Sequence, residues 1–311
     1  MITPDGIDRY YVANTMKGYL SNNDDKIVAG IGENNKARVT ITWPDGNYDE
    51  KEVVSGQQIV LDHKLSQAVK VVTIDHGKLF RDITSETKID HLQKENPYID
   101  FKLEPLLPHR FSQLGPAVCV GDMDGDGLED LIIAGAKDIA AKSFFQKQDG
   151  SFQEKVQPAF VADKRYEDGA ISSYDIDKDG DQDLVITSGG NDYAKQDTMY
   201  PVRFYANDGK GNFSRYEEKN STKYTSSNVI SVCDYNKDGL IDIFVGGTVK
   251  PGSYGLIPDS YLLRIKESYL EDLTPVILKN IGMVKSAQWA DMNGDGWMDL
   301  VVAGEWMPVS V

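Results

Sequence analysis

Four nine-residue segments concentrate the acidic side chains of this sequence: Asp122-Met-Asp-Gly-Asp-Gly-Leu-Glu-Asp130, Asp175-Ile-Asp-Lys-Asp-Gly-Asp-Gln-Asp183, Asp234-Tyr-Asn-Lys-Asp-Gly-Leu-Ile-Asp242 and Asp291-Met-Asn-Gly-Asp-Gly-Trp-Met-Asp299. Each has an oxygen-bearing side chain at positions 1, 3, 5 and 9 and glycine at 6. The sets are Asp122, Asp124, Asp126 and Asp130; Asp175, Asp177, Asp179 and Asp183; Asp234, Asn236, Asp238 and Asp242; and Asp291, Asn293, Asp295 and Asp299. Oxygen-only donors on a short loop suit a hard cation that takes about six to eight oxygens, and calcium fits best. No His or Cys falls inside a loop, which disfavours zinc and copper, and magnesium keeps its waters rather than enter an all-protein cage. The backbone carbonyl at position 7, from Leu128, Asp181, Leu240 or Trp297, is expected to add a ligand. About four calcium sites follow.

An EF-hand loop begins the same way but needs a bidentate Glu at its twelfth position. Here that position holds Ile133, Ile186, Val245 or Val302, so the EF-hand reading fails in every copy. Solvated acidic turns are the plain alternative, since Asp and Gly are common turn residues. Four copies with Asp fixed at 1, 5 and 9 and Gly at 6 argue against it.

The loops must be held by strands. Each follows a short β-like segment (117–120, 170–174, 229–233 and 286–290) and precedes another: Leu131-Ile-Ile-Ala-Gly135, Leu184-Val-Ile-Thr187, Ile243-Phe-Val-Gly-Gly247 and Leu300-Val-Val-Ala-Gly304. Short β-branched runs favour strands. Phe144-Phe145 before Asp149-Gly150, and Phe204-Tyr205 before Asn207-Asp208-Gly209, read as further hairpins, whereas Leu262 to Tyr269 has no turn glycine. The loops recur every 55 to 60 residues or so, and about four strands per repeat is the arithmetic of a β-propeller blade, with a solenoid as competitor. The expected fold is therefore all-β: propeller blades over 116–311, truncated in the fourth repeat and forming an incomplete propeller, preceded by a small β module at 1–78 and a lead-in at 79–115. In the first module Val39, Ile41 and Trp43 alternate before the turn Pro44-Asp45-Gly46.

The loops resemble the calcium loops of FG-GAP (VCBS) repeats, the blade units of integrin α-subunit propellers. Trp43-Pro-Asp-Gly46, with Gly18-Tyr-Leu-Ser21 and Gly30-Ile-Gly32 before it, resembles the ASPIC/UnbV module that accompanies such repeats in cartilage acidic protein and its bacterial relatives. Leu106-Leu-Pro-His109, Gly246-Gly247 with Pro251-Gly252, and Gly304-Glu-Trp-Met-Pro308 are similar to segments of large surface proteins of Bacteroidetes. The resemblance implies an extracellular or outer-membrane location and a non-catalytic role in adhesion, ligand binding or assembly, with a protein or polysaccharide ligand at the cell surface. It also implies that the 1–78 module closes a preceding domain.

The net charge of −16, with 16 of the 49 acidic residues in the four loops, argues against nucleic acid as a partner. No apolar run is long enough for a membrane span, and residues 1–6 lack a signal-peptide pattern, so a signal or anchor is expected outside this chain. Cys119 and Cys233 are expected to be buried, unpaired thiols. His63, His76, His91 and His109 form no nucleophile elbow or metal pair, and Gly189-Gly190 reads as a turn. A pair of glycosidase-type carboxylates can still hide among so many acids, so a calcium-dependent lyase or hydrolase on a propeller scaffold is the alternative. Trp289 and Trp306 are expected in the core and Trp297 nearer the surface.

Overall fold

In a computed structural model, residues 1–4, 6–13, 16–18, 21–22, 26–67, 80–194, 197–216, 223–266 and 270–311 are described. The chain forms two compact units, Met1–Arg81 and Asp82–Val311. The expected boundary at 78, His76 and the middle of the Gly18–Ser21 segment lie outside the described residues.

In the first unit, β1 (Ile2–Thr3) pairs with β4 (Lys36–Thr42), and β4 with β5 (Tyr48–Val54), in a three-stranded antiparallel sheet; β2 (Met16–Gly18) pairs with β3 (Ser21–Asn22). The β4–β5 ladder runs from Lys36–Val54 to Thr42–Tyr48 and closes over Trp43-Pro-Asp-Gly46. Asp45 accepts the Asn47 amide and Gly46 has φ of 89°, so this turn is fixed by local chemistry.

The second unit is a row of antiparallel sheets whose strands follow chain order. They are β6 (Val118–Gly121), β7 (Asp130–Ile133), β8 (Lys142–Gln146) and β9 (Phe152–Lys155); β10 (Asp168–Tyr174), β11 (Asp183–Ser188), β12 (Arg203–Ala206) and β13 (Ser214–Arg215); and β14 (Val229–Cys233), β15 (Asp242–Gly246), β16 (Tyr261–Ile265) and β17 (Leu270–Asp272). A two-stranded sheet of β18 (Met283–Ala290) and β19 (Asp299–Glu305) follows. Each acidic loop joins the first two strands of its sheet. The chain is all-β, and its second unit is built of propeller blades. Only three short α-helices, of four, six and four residues, occur among the described residues.

Stacking of blades explains why the second strands read as unbroken apolar runs. Leu184 and Ile186 of β11 pack with Ile132 and Phe145 of the first blade, while Val185 between them packs with Ile243 and Leu263 of the third. Phe244 of β15 turns the other way, to Val284 and Val302. A strand buried on both faces needs no polar alternation. The close approach sets one glycine: a Cβ on Gly169 would sit 1.9 Å from the Ser227 carbonyl oxygen of the next blade.

Residues 96–113 are pinned to the loops that follow β11 and β15. Asn191 donates to Asp100 and Glu104, and Glu104 accepts the Tyr254 amide. Phe111 and Leu107 pack on Val249 and Met283.

Two expectations are corrected. Trp306 is 83% exposed, because the chain leaves β19 through a left-handed residue (φ 58°) that takes the indole off the strand's inward face; its Nε1 donates to the Tyr254 hydroxyl. Cys233 is half-buried at the end of β14 rather than enclosed, whereas Cys119 is buried; both are free thiols. Trp289 is half-buried, stacked 5.5 Å from Tyr235, and Trp297 is 52% exposed. The third hairpin forms as β16–β17 without a turn glycine, Thr274 Oγ1 accepting the Leu262 amide.

Candidate metal centres

All four loops share one hydrogen-bond plan. The position-1 carboxylate accepts the position-6 amide: Gly127 to Asp122 at 3.0 Å, Gly180 to Asp175 at 3.1 Å, Gly239 to Asp234 at 2.8 Å and Gly296 to Asp291 at 2.9 Å. The position-5 carboxylate accepts the position-7 amide, of Leu128, Asp181, Leu240 and Trp297. This wrap requires positive φ at positions 4 and 6. Position 6 is always glycine (φ 79–98°), and position 4 is Gly125, Lys178, Lys237 or Gly294.

Position 9 opens the second strand, so the sheet holds it rigidly. Asp130 accepts the Met123 amide at 3.0 Å and the Gln146 amide at 2.9 Å; Asp183 likewise accepts Ile176 at 3.0 Å and Asn207 at 2.8 Å. Asp299 accepts Met292 at 3.0 Å. Burial raises the Asp130 carboxyl and pushes Asp183 up to about 6, against the pull of these amides, with neighbouring acidic side chains adding to the rise. Burial and the nearby Asp179 and Asp177 push Asp181 up to about 6 as well.

The structure brings together Asp122, Asp124 and Asp130, one oxygen from each lying within 4.8 Å of the others, and does the same for Asp175, Asp177 and Asp183. Asp126 and Asp179 close their turns and stand outside these triads. In the second triad Asp175 Oδ1 is buried with no hydrogen-bond partner, which suits a group whose partner is a cation. A cleft of about 710 Å³ between the first two loops is lined by Asp122, Asp179, Asp181 and Asp208. Both triads therefore have a donor set that can hold a metal ion. Among the described residues the third and fourth loops form no such triad, and each has Asn at position 3, its amide donating to the position-5 carboxylate.

Two functional neighbours escaped the sequence reading. Tyr216 donates its hydroxyl to Asp177 at 2.6 Å, and Arg264 reaches the third loop. The only signal for the latter is a charge inside the apolar run Tyr261-Leu-Leu-Arg-Ile265. His109 rests 4.5 Å from Phe111 and 3.5 Å from Glu305, while Arg110 turns away to Gln113.

Sequential four-stranded blades, each with an acidic loop between its first two strands, define a β-propeller repeat protein. Residues 122–186 and 175–245 match the FG-GAP-like repeat, and residues 1–69 match the ASPIC and UnbV domain. The chain thus carries FG-GAP-like repeats behind an ASPIC and UnbV domain. No curated protein matches the sequence. Among solved structures it is similar to the Dos1 propeller, at 8% identity over 60% of this chain and 41% of that one, with a TM-score of 0.38. It is also similar to a GH43_1 enzyme from Xanthomonas citri, at 13% identity over 52% of this chain and 56% of that one, with a TM-score of 0.30. The chain spans well under two thirds of either, and likenesses this loose transfer no activity.

Proposed function

We propose that this protein is a calcium-binding extracellular or outer-membrane-surface module that acts without catalysis, in adhesion, ligand binding or assembly, on a protein or polysaccharide partner. The observation that carries the reading is the convergence of Asp122, Asp124 and Asp130, and of Asp175, Asp177 and Asp183, on two small volumes, with Asp175 Oδ1 left to a cation. Calcium is the ion because every donor is an oxygen. Asp126 and Asp179, with the carbonyls of Leu128 and Asp181, complete the two sets, and the fourth loop is a weaker site because Asn293 removes one charge. Residues 1–78 act as the companion module, 79–115 as the lead-in and 116–311 as the propeller part.

Where Arg203, Asp168, Tyr205 and Asp163 converge, the side chains are packed so closely that no water-sized space remains between them, which leaves no room for a substrate at that cluster. No helix among the described residues is long and apolar enough to cross a membrane.

Asp126→Ala and Asp179→Ala are each expected to remove one calcium ion from the chain, counted by native mass spectrometry. Unchanged counts in both variants would contradict the reading.

A further inference from the structure

The third loop carries its own cation. Asp242 and Arg264 are directly paired across β15 and β16. The guanidinium grips the ninth-position carboxylate with two contacts, Nε to Oδ1 at 2.8 Å and Nη2 to Oδ2 at 3.2 Å, and Nη1 reaches Asp238 Oδ2 at 2.9 Å. One side chain, about nine-tenths buried, thus satisfies positions 5 and 9 together. Continuing the register of the other blades by one residue puts Phe145 opposite Asp130 and Ala206 opposite Asp183, and neither can do this.

The local hydrogen bonds differ accordingly. In the first, second and fourth loops the ninth-position Oδ2 accepts the position-2 amide at 3.0 Å, which fixes the carboxylate against the loop backbone. In the third, both oxygens of Asp242 go to Arg264. Asn236 adds a second donor to Asp238 Oδ2, at 2.9 Å. The oxygens that a cation would need are therefore already engaged by positive or hydrogen-bearing groups, and a divalent ion placed among them would be repelled by a guanidinium that never loses its charge.

We infer that Arg264 replaces the metal ion in the third loop, so that this blade is closed without calcium while its neighbours depend on it. The inference rests on the calcium reading of the first two loops and refines it. A bidentate arginine suits the role because its fixed fork matches a carboxylate and holds its charge at every physiological pH.

The test counts calcium on the full chain by native mass spectrometry at saturating calcium. Arg264→Gln is expected to gain one ion over the wild-type chain, whatever the wild-type count is. Asp238→Ala in the wild-type background is expected to leave the count unchanged, and it serves as the readout if Arg264→Gln does not fold. An unchanged count in folded Arg264→Gln, or one ion lost in Asp238→Ala, overturns the inference. If this inference fails alone, Asp126→Ala still loses its ion; if the calcium reading fails, Asp126→Ala is also unresponsive.

Discussion

Adding a calcium chelator lowers the melting temperature of the Asp82–Val311 unit by roughly 15–30 °C. The figure follows from the two triads. Three carboxylate oxygens within 4.8 Å of one another repel by roughly 3–4 kcal/mol per pair at an effective dielectric near 20. Backbone amides relieve part of this, but Asp175 Oδ1 has none. Calcium at about a thousand times its dissociation constant contributes roughly 4 kcal/mol per site, so two independent sites give about 8 kcal/mol. That is comparable to the whole stability of an ordinary domain. Each kcal/mol moves the midpoint by about 2–4 °C for a unit of this size. The Met1–Arg81 unit carries no such loop and should melt unchanged. Calorimetry on the chain with calcium and with chelator reads both transitions, and a shift below about 3 °C in the second unit would contradict the account.

Replacing Asp168 by alanine costs about 3–5 kcal/mol of stability and leaves the calcium count alone. Arg203 is only 2% exposed, and its Nη2 donates to Asp168 Oδ1 at 2.6 Å and to the Thr187 carbonyl at 3.2 Å. The other Asp168 oxygen accepts the Gly135 amide of the first blade at 2.7 Å. Beside this pair, Tyr205 donates to Asp163, which also holds Arg215 at 2.6 Å. The ion pair therefore joins two blades inside a closed core. Removing the carboxylate strands a buried guanidinium whose Nε already lacks a partner, and breaking a buried pair costs this much because the remaining charge stays dehydrated. Arg203→Met added to Asp168→Ala should recover most of the loss, since the pair removed together leaves no charge behind. Urea unfolding of the single and double variants measures this. A single variant within about 1 kcal/mol of wild type would show that the pair is not structural.

What was legible in the sequence is what local spacing encodes. The acidic loops declare themselves because their hydrogen bonds run between residues two to five apart, as from Gly127 to Asp122, and because φ at position 6 demands glycine. The flanking strands follow from runs such as Leu184-Val-Ile, and the first-unit hairpin from Trp43-Pro-Asp-Gly46. Arg264 was not legible. Its meaning depends on the Asp242–Arg264 register across a connection of about 20 residues. Trp306 misled because strand alternation assigns it inward, while a single left-handed residue ends that alternation. The Arg203 network depends on which blade lies beside which, and no local pattern marks it. At the site itself, Asn236 and Asn293 at position 3 already set the last two loops apart in the sequence, and only the first two gather three carboxylates among the described residues.

Native mass spectrometry of the intact chain, exchanged first into chelator and then into calcium, tests the central claim most directly. The account predicts two ions held tightly by the first two loops, a third bound more weakly at the fourth, and all of them lost to chelator. A mass that does not change between the two conditions at millimolar calcium would contradict it.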